Sequence, residues 1–111
     1  MIKGDKLTTI VLESLSKSYK VPQSIHAVVE FSITYQQKFL NWKKGSNYLC
    51  CLETSEKNLL LLIEKLKLLN IDHSLFYEPD LNNQVTAITV EALNKDSHNY
   101  LFKNFKLTNH G

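Results

Sequence analysis

The chain has 111 residues, 43% of them hydrophobic and 22% charged. That balance belongs to an ordinary globular protein, not to a disordered, collagen-like or membrane-embedded one, and the length suffices for a core without disulfides or metal. Thirteen basic residues against eleven carboxylates give a formal charge of +2, and every basic residue is lysine. This excludes arginine-based catalysis and falls short of the basic excess of a dedicated nucleic-acid binder. A single domain over residues 1–111 is expected.

Leu7-Thr8-Thr9-Ile10-Val11-Leu12 brings β-branched residues together as a first strand suited to a buried position. Glu13 to Lys20 reads as a Ser- and Lys-rich connection, and Pro22 stands where a first helical turn tolerates it. From Gln23 to about Leu40 the period predicts an amphipathic helix with Ile25, Val28, Val29 and Ile33 on its apolar face. Gln23, His26, Glu30 and Thr34 form a polar strip beside it. His26 and Glu30 also have the spacing of two metal ligands, but no third ligand stands at matched spacing. No metal is expected, and a solvated or packing-satisfied histidine with a local ion pair to Glu30 is the competing reading.

Asn41 to Asn47 should break the helix at Gly45, with Trp42 packing back as an anchor. Tyr48-Leu49-Cys50-Cys51-Leu52 predicts a strand buried on both faces, in which the adjacent cysteines point to opposite sides and a bridge between them would be strained. Thr54 or Ser55 caps a core helix over Glu56 to Leu69, whose apolar face is Leu59, Leu62, Ile63, Leu66 and Leu69, and Asn70 suits a left-handed end. Ile71 to Tyr77 and Val85 to Leu93 predict two further strands, His98 to Leu107 a short closing helix, and Thr108 to Gly111 a frayed end. No secretory leader is expected, and the longest apolar run, Leu59 to Ile63, is too short to span a bilayer. These features predict a cytoplasmic protein with reduced thiols and no membrane association.

The segment between the last two strands concentrates chemistry. Pro79 fixes its own φ and biases Glu78 toward extended backbone, while Asp80, Asn82 and Asn83 can satisfy turn amides. Glu78, Asp80, Asn82, Asn83, Gln84 and Thr86 thus gather at one sheet end, where α/β proteins tend to place their sites. A solvated hairpin turn is the competing reading of the same stretch. The expected order is β-α-β-α-β-β-α, an α/β domain with an antiparallel pair at this turn.

Gln23-Ser24-Ile25-His26-Ala27, at a helix start, together with Phe76-Tyr77-Glu78-Pro79-Asp80-Leu81, resembles the type II peptidyl-tRNA hydrolase family. The likeness is to its short bacterial branch, in which Glu-Pro-Asp replaces Asp-Ala-Gly. The resemblance implies a single mixed four-stranded sheet with packed helices, a homodimer, and cleavage of the ester joining a peptide to tRNA, with no cofactor. It implies a catalytic set of Lys17, Gln23, His26, Glu78 and Thr86, with Lys20 as a nearby substitute for Lys17. Lys20, Asp80, Asn82, Asn83 and Gln84 become candidates for binding tRNA or peptidyl-tRNA. Two departures stand out: Lys17-Ser18-Tyr19-Lys20 replaces the family's Lys-Gly-Lys, and its Arg-Thr-Gln is absent. The alternative is a non-catalytic binding or regulatory module that reuses the fold.

Overall fold

Leu7 to Leu12 are all buried, on both faces of the extended chain, so β1 (Lys6–Leu12) must lie inside a sheet covered on each side. A computed structural model, which describes residues 5–108, shows that arrangement. After β1 come α1 (Lys17–Thr34), α2 (Gln36–Lys44), β2 (Tyr48–Thr54), α3 (Glu56–Leu68), β3 (His73–Glu78), β4 (Gln84–Leu93), α4 (Lys95–His98) and β5 (Lys106–Leu107). Short 3₁₀ turns cover Pro79–Leu81 and Asn99–Phe102. The sheet order is β3-β4-β1-β2-β5. β1 and β2 are parallel, β4 is antiparallel to both β1 and β3, and β5 is antiparallel to β2. The carboxyl ends of β1, β2 and β3 therefore share one rim.

The sheet has five strands where four were expected. His98 to Leu107, read as a helix from its aromatic spacing, instead makes a 3₁₀ turn and then the two-residue β5. Asn104, at φ 75°, ends the helical path, and β5 pairs with Leu52 and Glu53 on the outer side of β2. Thr108 is not frayed, because its N–H donates to Cys51 O at 3.1 Å. The rest of that tail lies outside the described residues.

α3 follows the pattern of its sequence. Ser55 Oγ accepts from Asn58 N at 3.2 Å as an N-cap, and Asn70 takes φ 55° after the helix. Leu59, Leu62, Ile63 and Leu66 pack on Ile10, Leu12, Leu52, Ile88 and Val90, while Leu69 is exposed.

The first helix departs from its prediction in three ways. It starts at Lys17, because Ser16 takes extended angles and its carbonyl accepts from Tyr19 N and Lys20 N. Pro22 consequently lies inside α1, where the Ser18 carbonyl, on an exposed residue, loses an amide partner. The helix also breaks at Tyr35 (φ −124°), which redirects α2 so that Trp42 and Phe39 pack with Leu7 and Phe31. Trp42 thus lies within α2, and its Nε1–H donates to Tyr48 O at 2.8 Å. Finally, Ile25, Val29 and Ile33 face outward, while Lys20, Gln23, Ser24, Ala27 and Phe31 are buried. The sheet beneath α1 explains the reversal. It presents the small side chains Thr9, Ser74, Thr86 and Ala87, and the helix comes close enough for Ser74 Oγ to donate to Ala27 O at 3.0 Å.

α1 covers β4, β3 and β1. Tyr48 and Leu49 at the start of β2 are accordingly exposed, not buried on both faces as predicted. Among the described residues no helix is long and apolar enough to cross a membrane.

Candidate functional site

The hairpin β3–β4 and the first turns of α1 meet at the common rim. Phe76 pairs with Ala87 but Tyr77 pairs with Val85, so Thr86 is an extra residue, a bulge in β4. Bulges re-aim side chains, and the fully buried Thr86 points at α1. Thr86 Oγ1 donates to Gln23 Oε1 at 2.6 Å, and Gln23 Nε2 donates to Glu78 Oε2 at 2.5 Å. An ionised carboxylate only accepts, so Glu78 fixes which way the Gln23 amide faces. Glu78 Oε1 accepts from Asp80 N at 3.3 Å, and Asn83 N donates to Glu78 O at 3.0 Å. Asn82 and Asn83, at φ 56° and 58°, close the turn in the left-handed region that asparagine tolerates.

This relay opens on a pocket of about 110 Å³ lined by Leu15, Tyr19, Gln23, Glu78, Asp80 and Leu81. Its chemistry is a carboxylate held by two donors, a second carboxylate beside it, and apolar walls. Such a site can accept a proton from a bound water or hold a cationic or hydrogen-bond-donating group.

The predicted residues separate into groups. Gln23, Glu78 and Thr86 are joined directly, and Asp80 lines the same pocket. His26 is exposed and stacks on Phe76, with ring centroids 4.7 Å apart and 8° between planes. It stands beside the relay, not in it, as the solvated, packing-satisfied histidine of the competing reading, without the ion pair to Glu30. Lys17 is exposed and has no ion-pair partner among the described residues. Lys20 is buried and engaged elsewhere, its Nζ 3.2 Å from Glu53 Oε2 and 3.3 Å from Oε1. Asn82 and Asn83 are exposed turn formers, and Gln84 donates to Glu56 at the start of α3. Among the described residues no group of three His, Cys, Asp or Glu side chains could hold a metal ion.

Sequence reasoning missed Tyr19, Leu15 and Leu81 as walls, and Glu53 as the partner of Lys20. Tyr19 stands one helical turn before Gln23 and follows once α1 is started at Ser16. Glu53, a carboxylate at the end of an apolar strand, signals a buried partner.

The rim defines the chain as a mixed α/β protein with a polar site at the carboxyl ends of its parallel strands. No family model matches it, and no curated protein does. A solved protein of unknown function from Agrobacterium tumefaciens has the same fold, with a TM-score of 0.71 at 14% identity over 97% of this chain and 100% of that one.

Proposed function

We propose that the protein is a peptidyl-tRNA hydrolase-like enzyme acting on the ester between peptide and tRNA, with the Thr86–Gln23–Glu78 relay as its centre. The observation that carries this reading is the relay itself, which joins Gln23 and Glu78, from the two segments that resemble the family, to Thr86 and opens on a pocket. Glu78 takes a proton from a water as the water oxygen attacks the ester carbonyl, and returns it to the departing tRNA oxygen as the ester C–O bond breaks; Gln23 orients Glu78, and Thr86 holds Gln23. His26, stacked on Phe76, stands beside this relay.

One observation favours a second reading, a binding module that holds a ligand without turnover. Ester hydrolysis needs a fixed donor or cation for the developing oxyanion. Lys20 is held by Glu53, and Lys17 is a flexible surface side chain.

The test is turnover of peptidyl-tRNA by the wild type, Lys17→Ala and Glu78→Gln. Wild-type turnover lost in Glu78→Gln supports the enzyme reading. A wild type that binds the substrate without cleaving it supports the module, and turnover unchanged in both variants removes these residues from the mechanism.

We also propose that the protein acts in the cytoplasm as a homodimer. Val21, Ile25, Val29 and Ile33 stand exposed at four-residue steps along α1 and form a straight apolar ridge. Ridges of that spacing interdigitate when two helices cross.

A further inference from the structure

On the face of the sheet opposite α1, a second cavity opens between α3 and the 3₁₀ turn Asn99–Phe102. Its volume is about 230 Å³, against about 110 Å³ for the pocket at Glu78, and the two share no lining residue. Leu62 and Leu101, both buried, form part of its floor. Its polar lining is Asn58, Lys65, Tyr100, Lys103 and Asn104, with no carboxylate.

Both flanks of α3 carry lysine, but only one carries an acid. On that flank Lys57 and Lys67 share a hollow with Glu64, which lies 3.9 Å from Lys67. On the cavity side, Lys65 and Lys103 have no ion-pair partner among the described residues. Asn58, Tyr100 and Asn104 likewise use none of their side-chain polar atoms on another described residue, so five side chains with hydrogen-bonding capacity to spare converge on one hollow. Its far wall is held in place. Leu101 is buried, the Phe102 and Phe105 rings meet edge-on at 6.1 Å, and Phe105 N donates to Phe102 O at 3.0 Å.

We propose that this cavity binds a small organic anion, its carboxylate or phosphate monoester held between Lys65 and Lys103 and its apolar body lying on Leu62, Leu101 and the ring of Tyr100. Paired ammonium groups facing no acid attract a single anionic head, and amide and phenol groups complete its hydrogen bonds. The volume lies below the roughly 300 Å³ at which pockets for drug-sized ligands begin. The part of the ligand held in the cavity is therefore one ring or a short chain.

The experiment is an NMR titration of the full chain with phenyl phosphate, benzoate, benzyl alcohol and inorganic phosphate. Phenyl phosphate or benzoate should give saturable shifts centred on Asn58, Lys65, Tyr100, Lys103 and Asn104, and whichever binds more tightly identifies the head group. Benzyl alcohol and inorganic phosphate should each bind at least about tenfold more weakly. Because both lysines are exposed, K65Q/K103Q should fold normally, lose about tenfold or more in affinity and lose most of its salt dependence; Glu78→Gln, at the other pocket, should leave the affinity for phenyl phosphate and benzoate unchanged. Equal binding of benzyl alcohol, shifts centred elsewhere, undiminished binding by K65Q/K103Q, or no saturable binding at millimolar ligand would each overturn the proposal.

Discussion

Gln23 and Glu78, 55 positions apart, are joined by a 2.5 Å hydrogen bond from Nε2 to Oε2. The other end of the same amide accepts from the buried Thr86 hydroxyl at 2.6 Å. One side chain therefore ties α1 to both arms of the β3–β4 hairpin. Gln23→Met keeps the volume but leaves the Thr86 hydroxyl without its partner, and should cost about 1–3 kcal/mol in urea unfolding. Adding Thr86→Val removes the orphaned hydroxyl and should recover part of that loss. Equal stability of wild type and Gln23→Met would show that the relay contributes nothing to the fold.

Lys20 and Glu53 test the opposite case, a charge pair whose side chains are each only 9% exposed. Removing Lys20 takes a counter-charge from the buried Glu53 carboxylate, so Lys20→Met should destabilise by about 1–3 kcal/mol. Lys20→Met with Glu53→Leu should be much more stable than Lys20→Met alone, because neither charge then remains. A double variant as weak as the sum of the two single ones would mean that the pair is not coupled.

Cys50 and Cys51 should react slowly as thiols. Burial raises both above the usual thiol value of 9.0; Lys6 partly offsets this at Cys50, while the neighbouring Cys50 adds to it at Cys51. The thiolate is the reactive form, so a disulfide reagent at neutral pH should modify the native protein far more slowly than the urea-unfolded chain. Because the folded thiols hold their protons longer, stability should fall as pH rises from 9.0 through the raised values. Equal rates in the native and unfolded states would contradict the burial.

The parts of this fold that were legible in sequence are those where the local period and the tertiary surroundings agree. β1, the leucine face of α3 and the hairpin turn at Pro79 are of this kind. α1 is not. Its most hydrophobic stripe, Ile25, Val29 and Ile33, points away from the sheet, because over the first turns of α1 the surface beneath it is largely threonine, serine and alanine and admits the close approach of Gln23, Ser24 and Ala27, with Phe31 the one large apolar side chain turned inward. Nothing within α1 encodes what lies under it. The site shows the same division. Gln23, Glu78 and Thr86 follow from motif and turn chemistry, whereas the destination of Lys20 depends on a carboxylate 33 positions away.

Lys38 offers a pH test. Its Nζ lies 2.5 Å from Asp72 Oδ2 and 3.2 Å from Glu91 Oε1, and Glu91 Oε2 accepts from Asp72 N at 2.6 Å. The hydrogen bond to Asp72 is the main reason its pKa is raised above 10.5, with Glu91 adding to the effect and burial opposing it. A raised folded-state pKa contributes stability that is fully present below about 10.5 and is lost as pH rises through the higher folded value. The side chain is about half exposed, so the contribution is at most about 1 kcal/mol. Lys38→Met should be less stable than wild type by that amount at neutral pH, with the gap closing above pH 10.5 and narrowing in high salt. A gap unchanged by pH would assign the loss to packing of the lysine stem.

Val29 lies on the apolar ridge of α1, between Ile25 and Ile33. In a two-fold dimer built on crossed copies of this helix, a residue near the axis meets its own counterpart. Val29→Glu would place two carboxylates together, and Val29→Lys two ammonium groups, each out of water and without a partner. Neither change should harm the monomer, because Val29 faces outward and both new residues are good helix formers. Sedimentation should therefore show a dimer for the wild type at micromolar concentration and monomers for each variant alone. Mixing the two variants should restore a dimer, since opposite charges then meet across the axis. Dimers that survive in both separate variants would place the interface elsewhere, and a monomeric wild type would leave the ridge without a second copy to cover it.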